Sequence, residues 1–594
     1  MATKHFFSDT SGVVVQGLQS LVSRNNHLAL DAPNKVVYSR THTPSKVSVI
    51  SGGGSGHEPA WSGYVGDGML AAAVNGEVFA SPSAKQIMAA IEHVPSDAGI
   101  ILCITNYTGD NLHFGLAREK TVGLGYKIGM LRMTDDVGLG RKQTQNLGRR
   151  GLAGNMFVLK LCGSAAHEGY SFEQCMEIGT SVNAHCITIG SSLDYCHIPG
   201  RAHHEQLPPD TLSVAQGIHN EAGLLEVSPI PSAEDLVSDL LRYLLDPSDE
   251  DRAFVPFSPE DDVALLINNF GGVSNFELEA LTHVTLTLLE RDWKIMPART
   301  FAQPFETSLN APGWSISLLN ISGISKEVNI PTSTLFELLD AETVAPAWPR
   351  NGYKPAKEAS QAGAQKSKTA TAAAGGEGPQ VDPTHLTNAL RTACNAAITA
   401  EPEITKWDIQ MGDGDCGEAV VGICTSILRK LDAGLCEQNQ GHLFPILDAV
   451  EDCVEDIGGT LGAIISIVLA SFTSSLRTMA AKAGEEGLEL DMDTIGKAAG
   501  EALKNLMTYT GARVGGRTVM DTLIPFCETL EKEKVLSAAV GAAEQGARKT
   551  EGMQAKFGRA TYVGDKGNEA KTPMDPGAWA AAVWLKGLRE GLQG

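Results

Sequence analysis

Between Tyr353 and Val381 the chain carries no large apolar side chain, only Ala, Gly, Lys, Ser, Thr, Gln, Glu and Pro. Such a stretch cannot bury enough surface to offset the entropy of ordering it, so residues 351–383, chiefly Lys354–Pro383, read as a linker. As a flexible coil, roughly 28 residues span a root-mean-square distance of ~30 Å. The remaining residues of the 594 then fall into two segments, 1–350 and 384–594, and at least two domains are expected.

The two segments are written in different periods. Before the linker, short apolar runs alternate with helical patterns, as at Val47–Ile50, Gly99–Ile104, Ile128–Met133 and Val263–Ile267. That alternation predicts an α/β fold. After the linker, Leu386, Ala389, Leu390, Ala393, Ala397 and Ile398 keep a helical spacing, as do Ala419, Val420, Ile423, Cys424, Ile427 and Leu431. The second segment should be nearly all helix. Leu461–Phe472 is almost uniformly apolar but too short to span a bilayer, and predicts a helix buried in the centre of the bundle.

A formal charge of −23, with no basic stripe, argues against a nucleic-acid or anionic-membrane partner. An acidic protein that handles phosphate needs metal ions or backbone amides to offset repulsion. The 11 cysteines stand singly with no C-x-x-C pair, and Met1–Ser11 lacks the charged and apolar regions of a secretory leader. Free thiols in the cytoplasm are the expectation, with no membrane span.

The densest chemistry lies in Trp407-Asp408-Ile409-Gln410-Met411-Gly412-Asp413-Gly414-Asp415-Cys416-Gly417, where three carboxylates share a glycine-rich loop. Gly412-x-Gly414-x-x-Gly417 fits a dinucleotide fingerprint literally, but no β-rich run precedes it, and two aspartates would repel a pyrophosphate. Converging carboxylates suit Mg²⁺, a hard cation that bridges oxygen ligands to phosphates. Asp-Gly-Asp is also an ordinary turn former, so the loop alone leaves both readings open. Gly458-Gly459-Thr460 before the apolar run, Gly515-Gly516-Arg517-Thr518, Gly558-Arg559-Ala560-Thr561-Tyr562 and Asp575-Pro576-Gly577-Ala578 add turns whose amides could receive phosphate oxygens. No G-x-x-x-x-G-K-[ST] run exists, so any use of ATP proceeds without a P-loop.

Together, Asp408, Asp413 and Asp415, the Gly-Gly-Thr loop and the Asp-Pro-Gly-Ala turn resemble the nucleotide domain of dihydroxyacetone kinases. The resemblance implies a helical barrel in which the three aspartates hold two Mg²⁺ ions on ATP. It implies that Cys416, Gly417, Glu418 and Ala419, then Gly459, Thr460 and Leu461, then Thr518, Arg559, Asp575, Pro576 and Gly577, surround the nucleotide. Leu461 stands where a serine commonly follows the threonine, and Gly516 where an aspartate commonly precedes the arginine.

The first segment carries a matching set. Val47–Ile50 runs into Ser51-Gly52-Gly53-Gly54-Ser55-Gly56-His57-Glu58-Pro59, read as a glycine-rich loop ending in histidine. Gly99–Thr105 delivers Asn106-Tyr107-Thr108-Gly109-Asp110, a carboxylate at the carboxyl end of a strand. Gly217-Ile218-His219-Asn220-Glu221 is the third piece, with Val78-Phe79-Ala80-Ser81-Pro82 and Thr307-Ser308-Leu309 beside it. These resemble the substrate domain of the same kinases, an α/β domain of two subdomains over residues 1–350.

In that family the histidine of the Gly-Ile-His segment adds to the substrate carbonyl as a hemiaminal, which assigns His219 as the anchor. Asp110 is then the general base on the substrate hydroxyl, His57 orients or shares that proton, and Gly54, Ser55, Gly56 and Ser81 line the walls. Thr105 replaces a lysine that the family usually has five residues before the aspartate. The resemblance implies ATP-dependent phosphorylation of dihydroxyacetone, with glyceraldehyde also accepted, by a homodimer in which one subunit's nucleotide domain can serve the other's substrate domain. A lyase that splits FAD and a non-catalytic sugar sensor are the alternatives; the intact aspartate set argues against the sensor.

Overall fold

The computed structural model describes residues 4–144, 148–201, 206–349, 378–411, 414, 416–455, 459–484, 487–556 and 572–593. The chain separates into two compact units, Met1–Ser360 and Gln361–Gly594. Asp413, Asp415 and Arg559, named above, lie outside the described residues.

The first unit holds two six-stranded sheets. One is formed by β1 (Leu28–Asp31), β2 (Val36–Ser39), β3 (Ser48–Ser55), β4 (Ala72–Val78), β5 (Ile100–Thr105) and β6 (Ile128–Met133), in the order β1-β2-β4-β3-β5-β6. Its four strands β4, β3, β5 and β6 run parallel, so β3 and β5 end on the same edge. The other is formed by β7 (Cys186–Ser192), β8 (Leu212–Val214), β9 (Leu225–Val227), β10 (Val263–Asn269), β11 (Arg299–Gln303) and β12 (Gly313–Asn320), in the order β11-β10-β12-β7-β8-β9. It is antiparallel except for β10 with β11.

The apolar pattern explains the layers. Ile50, Val74, Ile100 and Leu102 pack with Ile87 and Phe114 from the helices Ala84–His93 and Thr108–Gly123. The opposite face, with Val49, Ile101 and Leu131, shares one core with Phe157 and Leu161 of the helix Asn155–His167 and with Leu266 and Leu319 of the second sheet. A single core therefore ties both sheets together and fixes the residues that each contributes to the site.

The glycine run proves to be strand rather than loop as far as Ser55. A Cβ on Gly52 would sit 2.3 Å from the Val74 carbonyl oxygen, and one on Gly53 2.7 Å from Trp61 Nε1. These two glycines let neighbouring groups close onto β3; the turn begins only at Gly56, whose φ is +100°.

The second unit is a ring of long helices: Pro383–Met411, Cys416–Asp432, Leu443–Glu455, Gly459–Ala483, Met492–Tyr509, Met520–Glu533, Leu536–Lys549 and Pro576–Gln593. Each packs on the next, and the last returns to the first. Gly587 and Gly591 make that closing seam: a Cβ on Gly591 would lie 2.6 Å from Ala389 Cα and from the Asn388 carbonyl oxygen. Backbone cannot yield there, so Gly591→Ala should cost about 1–3 kcal/mol and lower the urea midpoint of the helical signal in far-UV circular dichroism.

Inside the ring is a cavity of about 380 Å³. Leu461, Ile465, Val468, Leu469 and Phe472 line it. The predicted central helix is therefore corrected: it extends over Gly459–Ala483 and is one stave of the wall, its apolar face turned to the hollow. By length and composition Thr460–Ala483 could cross a membrane, but only 11% of its most apolar window is buried, which is what a stave facing a cavity gives. All 11 cysteines are unpaired thiols, ten of them buried.

Candidate active site

Three chain segments far apart in sequence converge at the carboxyl edge of the parallel strands. After β3, Gly56 turns the chain and delivers His57, only 2% exposed. The second sheet supplies His219 from the segment after β8. Their Nε2 atoms lie 3.1 Å apart with ring planes at 85°. His57 Nδ1–H donates to the Thr307 carbonyl at 2.7 Å. Burial, and then the positive charge of His219, hold the His57 pKa down at about 3.

His219 is held on its other side by Glu221. Glu221 Oε2 accepts the His219 backbone N–H at 2.8 Å and Oε1 accepts its Nδ1–H at 3.2 Å. Burial alone would raise the Glu221 carboxyl, but the hydrogen bond and charge of His219 outweigh it and hold the pKa at about 2. Phe79 stacks on His57, while Phe79 and Tyr107 meet His219 edge-on at 5.1 and 4.7 Å between centroids. Ser308 Oγ donates to the Ile218 carbonyl at 2.6 Å, fixing the backbone just before His219.

Asp110 occupies the first turn of the helix Thr108–Gly123, directly beyond β5. A helix N-terminus favours an ionised carboxylate, yet here burial dominates and raises the Asp110 pKa to about 6, against the hydroxyls of Ser81 and Thr105 and the charge of His219. Its Oδ1 is buried without a hydrogen-bond partner. Ser81 reaches this carboxylate because Gly109 is bare: a Cβ there would be 2.5 Å from Ser81 Oγ. Gly54 lies against the backbone of Phe79 and Ala80. Ser55 turns its hydroxyl away, donating to the Gly76 carbonyl at 2.8 Å.

Sequence reading brought His57, Ser81, Asp110 and His219 forward, and they meet. Glu221, Phe79, Tyr107 and Thr307 stood in the same motifs without a role assigned to them. Glu221, two residues after His219, was the one with a readable signal; a carbonyl at position 307 has none.

In the second unit, the described residues among those named earlier collect at one end of the ring, where four helices begin: Cys416–Asp432, Gly459–Ala483, Met520–Glu533 and Pro576–Gln593. Asp408 Oδ2 accepts the Cys416 backbone N–H at 2.9 Å. Gly417 is buried, while Glu418 and Ala419 turn outward in the same helical turn. Gly577 lies within contact of Leu461 and Val519, next to Thr518, and Thr460 is exposed beside them. Asp575 caps Pro576–Gln593 by accepting the Ala578 N–H at 2.8 Å. Its pKa rises to about 6, chiefly through burial, with Asp521 and Asp408 adding repulsion. The buried Arg517 guanidinium stands 3.9 Å from it, and Asp521 accepts Gly515 N–H and Thr518 N–H at 2.6 and 2.9 Å. Four positive helix ends beside carboxylates fit an anionic group carried with a divalent cation.

A Dak1 domain is matched over residues 19–347 and a DAK2 domain over residues 410–590. The chain is 39% identical to "Dihydroxyacetone kinase" of Pichia angusta, over 99% of this chain and 98% of that protein. It is 32% identical to "Triokinase/FMN cyclase" of Homo sapiens, over the whole of both, 100% each. The crystal structure of the dihydroxyacetone kinase from C. freundii in complex with AMP-PNP and Mg²⁺ is similar over 99% of this chain and 100% of that one, with TM-score 0.59 and 27% identity. On these matches, spanning both units, the chain belongs to the dihydroxyacetone kinase family, in its fused two-domain form.

Proposed function

We propose that the chain transfers the γ-phosphoryl group of ATP to a hydroxyl of dihydroxyacetone, or of glyceraldehyde, while the substrate carbonyl is held on His219 Nε2 as a hemiaminal. One observation carries this reading: His219, a quarter of its side chain exposed, meets buried His57 at 3.1 Å in the pocket that also holds Asp110. An imidazole nitrogen whose lone pair is freed of its proton is nucleophilic, and a tether fixes a substrate too small to offer much apolar burial. Asp110 takes the hydroxyl proton as that oxygen attacks phosphorus, with His57 orienting or sharing it. Gly54, Ser55, Gly56 and Ser81 wall the pocket.

In the helical unit, Asp408, Asp413 and Asp415 would hold two Mg²⁺ ions, which supply charge neutralisation on the triphosphate. Cys416–Ala419, Gly459–Leu461, Thr518, Arg559 and Asp575–Gly577 surround the nucleotide in this reading. Residues 1–350 form the substrate domain, 351–383 the linker and 384–594 the nucleotide domain of a cytoplasmic homodimer.

A coupled assay with ATP tests it. Dihydroxyacetone and glyceraldehyde should turn over, and glycerol should not, because an alcohol cannot form the adduct; equal turnover of glycerol would remove the tether from the mechanism. Asp413→Asn should lose about 10²-fold or more in turnover while keeping sugar capture; normal turnover at limiting Mg²⁺ would contradict the metal assignment. The human relative named triokinase/FMN cyclase supports a second reading, cleavage of FAD to a cyclic flavin phosphate. That activity needs no His219 and should survive His219→Ala.

A further inference from the structure

Glu221 has no task in the transfer described above, yet it takes both donors that His219 offers on one side. An ionised carboxylate only accepts, so His219 Nδ1 carries a proton. The Thr307 carbonyl only accepts, so His57 Nδ1 carries one too. A third proton must lie between the two Nε2 atoms, since bare lone pairs would repel at 3.1 Å. Two neutral imidazoles hold two protons; this pair holds three, and Glu221 faces the excess positive charge.

We propose that Glu221 is the positioning residue of the covalent step: it locks a proton on His219 Nδ1, so that Nε2 is the attacking atom, and it neutralises the imidazolium that the adduct leaves on His219. The inference rests on the hemiaminal reading. The step balances within the site. The shared proton passes fully to His57 Nε2, and the freed lone pair of His219 Nε2 forms the N–C bond as the carbonyl π bond breaks. The new oxyanion takes the proton from His57. Before and after, the dyad carries one positive charge and Glu221 one negative. His57 serves only as a transient holder, consistent with a buried ring that disfavours charge.

The surroundings leave this role to Glu221. Arg150 Nη1 also faces it across Gly217 and adds a fixed positive charge, while its Nε is held by Asp136 at 2.7 Å and its Nη2 by the Ala215 carbonyl at 2.9 Å; unlike His219, Arg150 makes no hydrogen bond to Glu221 among the described residues. Asp110 and His57 approach His219 from the first sheet, and Tyr107 presents only its ring edge. A Cβ on Gly217 would stand 2.1 Å from Glu221 Oε2, so the chain is bare where the carboxylate lies.

The test uses the full chain and dihydroxyacetone labelled with ¹³C at its carbonyl carbon. In the wild type, the bound carbon should resonate in the tetrahedral region. In Glu221→Gln that signal should give way to a carbonyl resonance, with KM for dihydroxyacetone rising about a hundredfold and KM for ATP unchanged; Glu221→Asp should recover part of the loss. An undiminished tetrahedral signal in Glu221→Gln overturns the proposal. If His219→Ala keeps that signal, the hemiaminal reading itself fails, which is a separate outcome. Should Glu221→Gln not fold, ¹⁵N-histidine spectra of the substrate-free wild type decide: a protonated His219 Nδ1 supports the lock, and a bare Nδ1 overturns it.

Discussion

His219→Ala leaves dihydroxyacetone without its covalent hold, and kcat/KM falls by about 10³-fold or more. The magnitude follows from the substrate. Its two methylenes, at about 0.8 kcal/mol each on burial, contribute too little to hold it against the entropy of immobilisation. On the proposed mechanism, the bond to Nε2 supplies both retention and orientation. His219 is partly exposed, and its loss removes the side-chain hydrogen bonds to His57 and Glu221 with the edge contacts to Phe79 and Tyr107, so the fold should persist with a modestly lower thermal midpoint. The measurement is the ¹³C signal of the bound carbonyl together with steady-state kinetics. A folded variant with intact tetrahedral signal and near-normal kcat/KM would end the tethering model.

Asp110→Asn separates the chemical step from capture. The adduct should form normally, whereas kcat should drop by about 10²- to 10⁴-fold, the range expected for losing a general base. In the wild type, kcat should fall as pH descends through about 6, because burial raises the carboxyl pKa to that value and the base must be ionised to act. The stability effect has the opposite sense. With a folded pKa above the ordinary 3.8, this carboxyl contributes stability that is fully present below about pH 4 and lost as pH rises through about 6. The asparagine variant escapes that loss and should melt no lower than wild type at pH 7.5. Unchanged kcat in a stable variant would exclude Asp110 as the base. Thr105 matters here: a hydroxyl beside Asp110 opposes the rise less than a lysine would, which leaves the carboxyl closer to neutrality.

The legibility of these features followed the range of the forces behind them. Ile128–Met133 reads as a strand from its own residues and is one; Val263–Ile267 lies within β10. The helical spacings after the linker fall within Pro383–Met411 and Cys416–Asp432, because an amphipathic period is local. Leu461–Phe472 misled for a tertiary reason: an apolar helix looks the same in sequence whether it fills a core or lines a hollow. The contact of His57 with Thr307 bridges 250 positions and engages only a carbonyl, so no residue type announces it. Glycines 52 and 53 read as loop because the neighbours that close onto them, Val74 and Trp61, are set by the packing of the sheet.

The seam formed by Gly587 and Gly591 also sets a timetable. As the chain leaves the ribosome, the first helix of the ring emerges well before its closing partner, and the staves between them present sticky inner faces to water in the meantime. Synthesis at roughly 5–20 residues per second makes that interval many seconds long. This half of the molecule should accordingly lean on chaperones far more than the substrate half, which can knit its sheets as they appear.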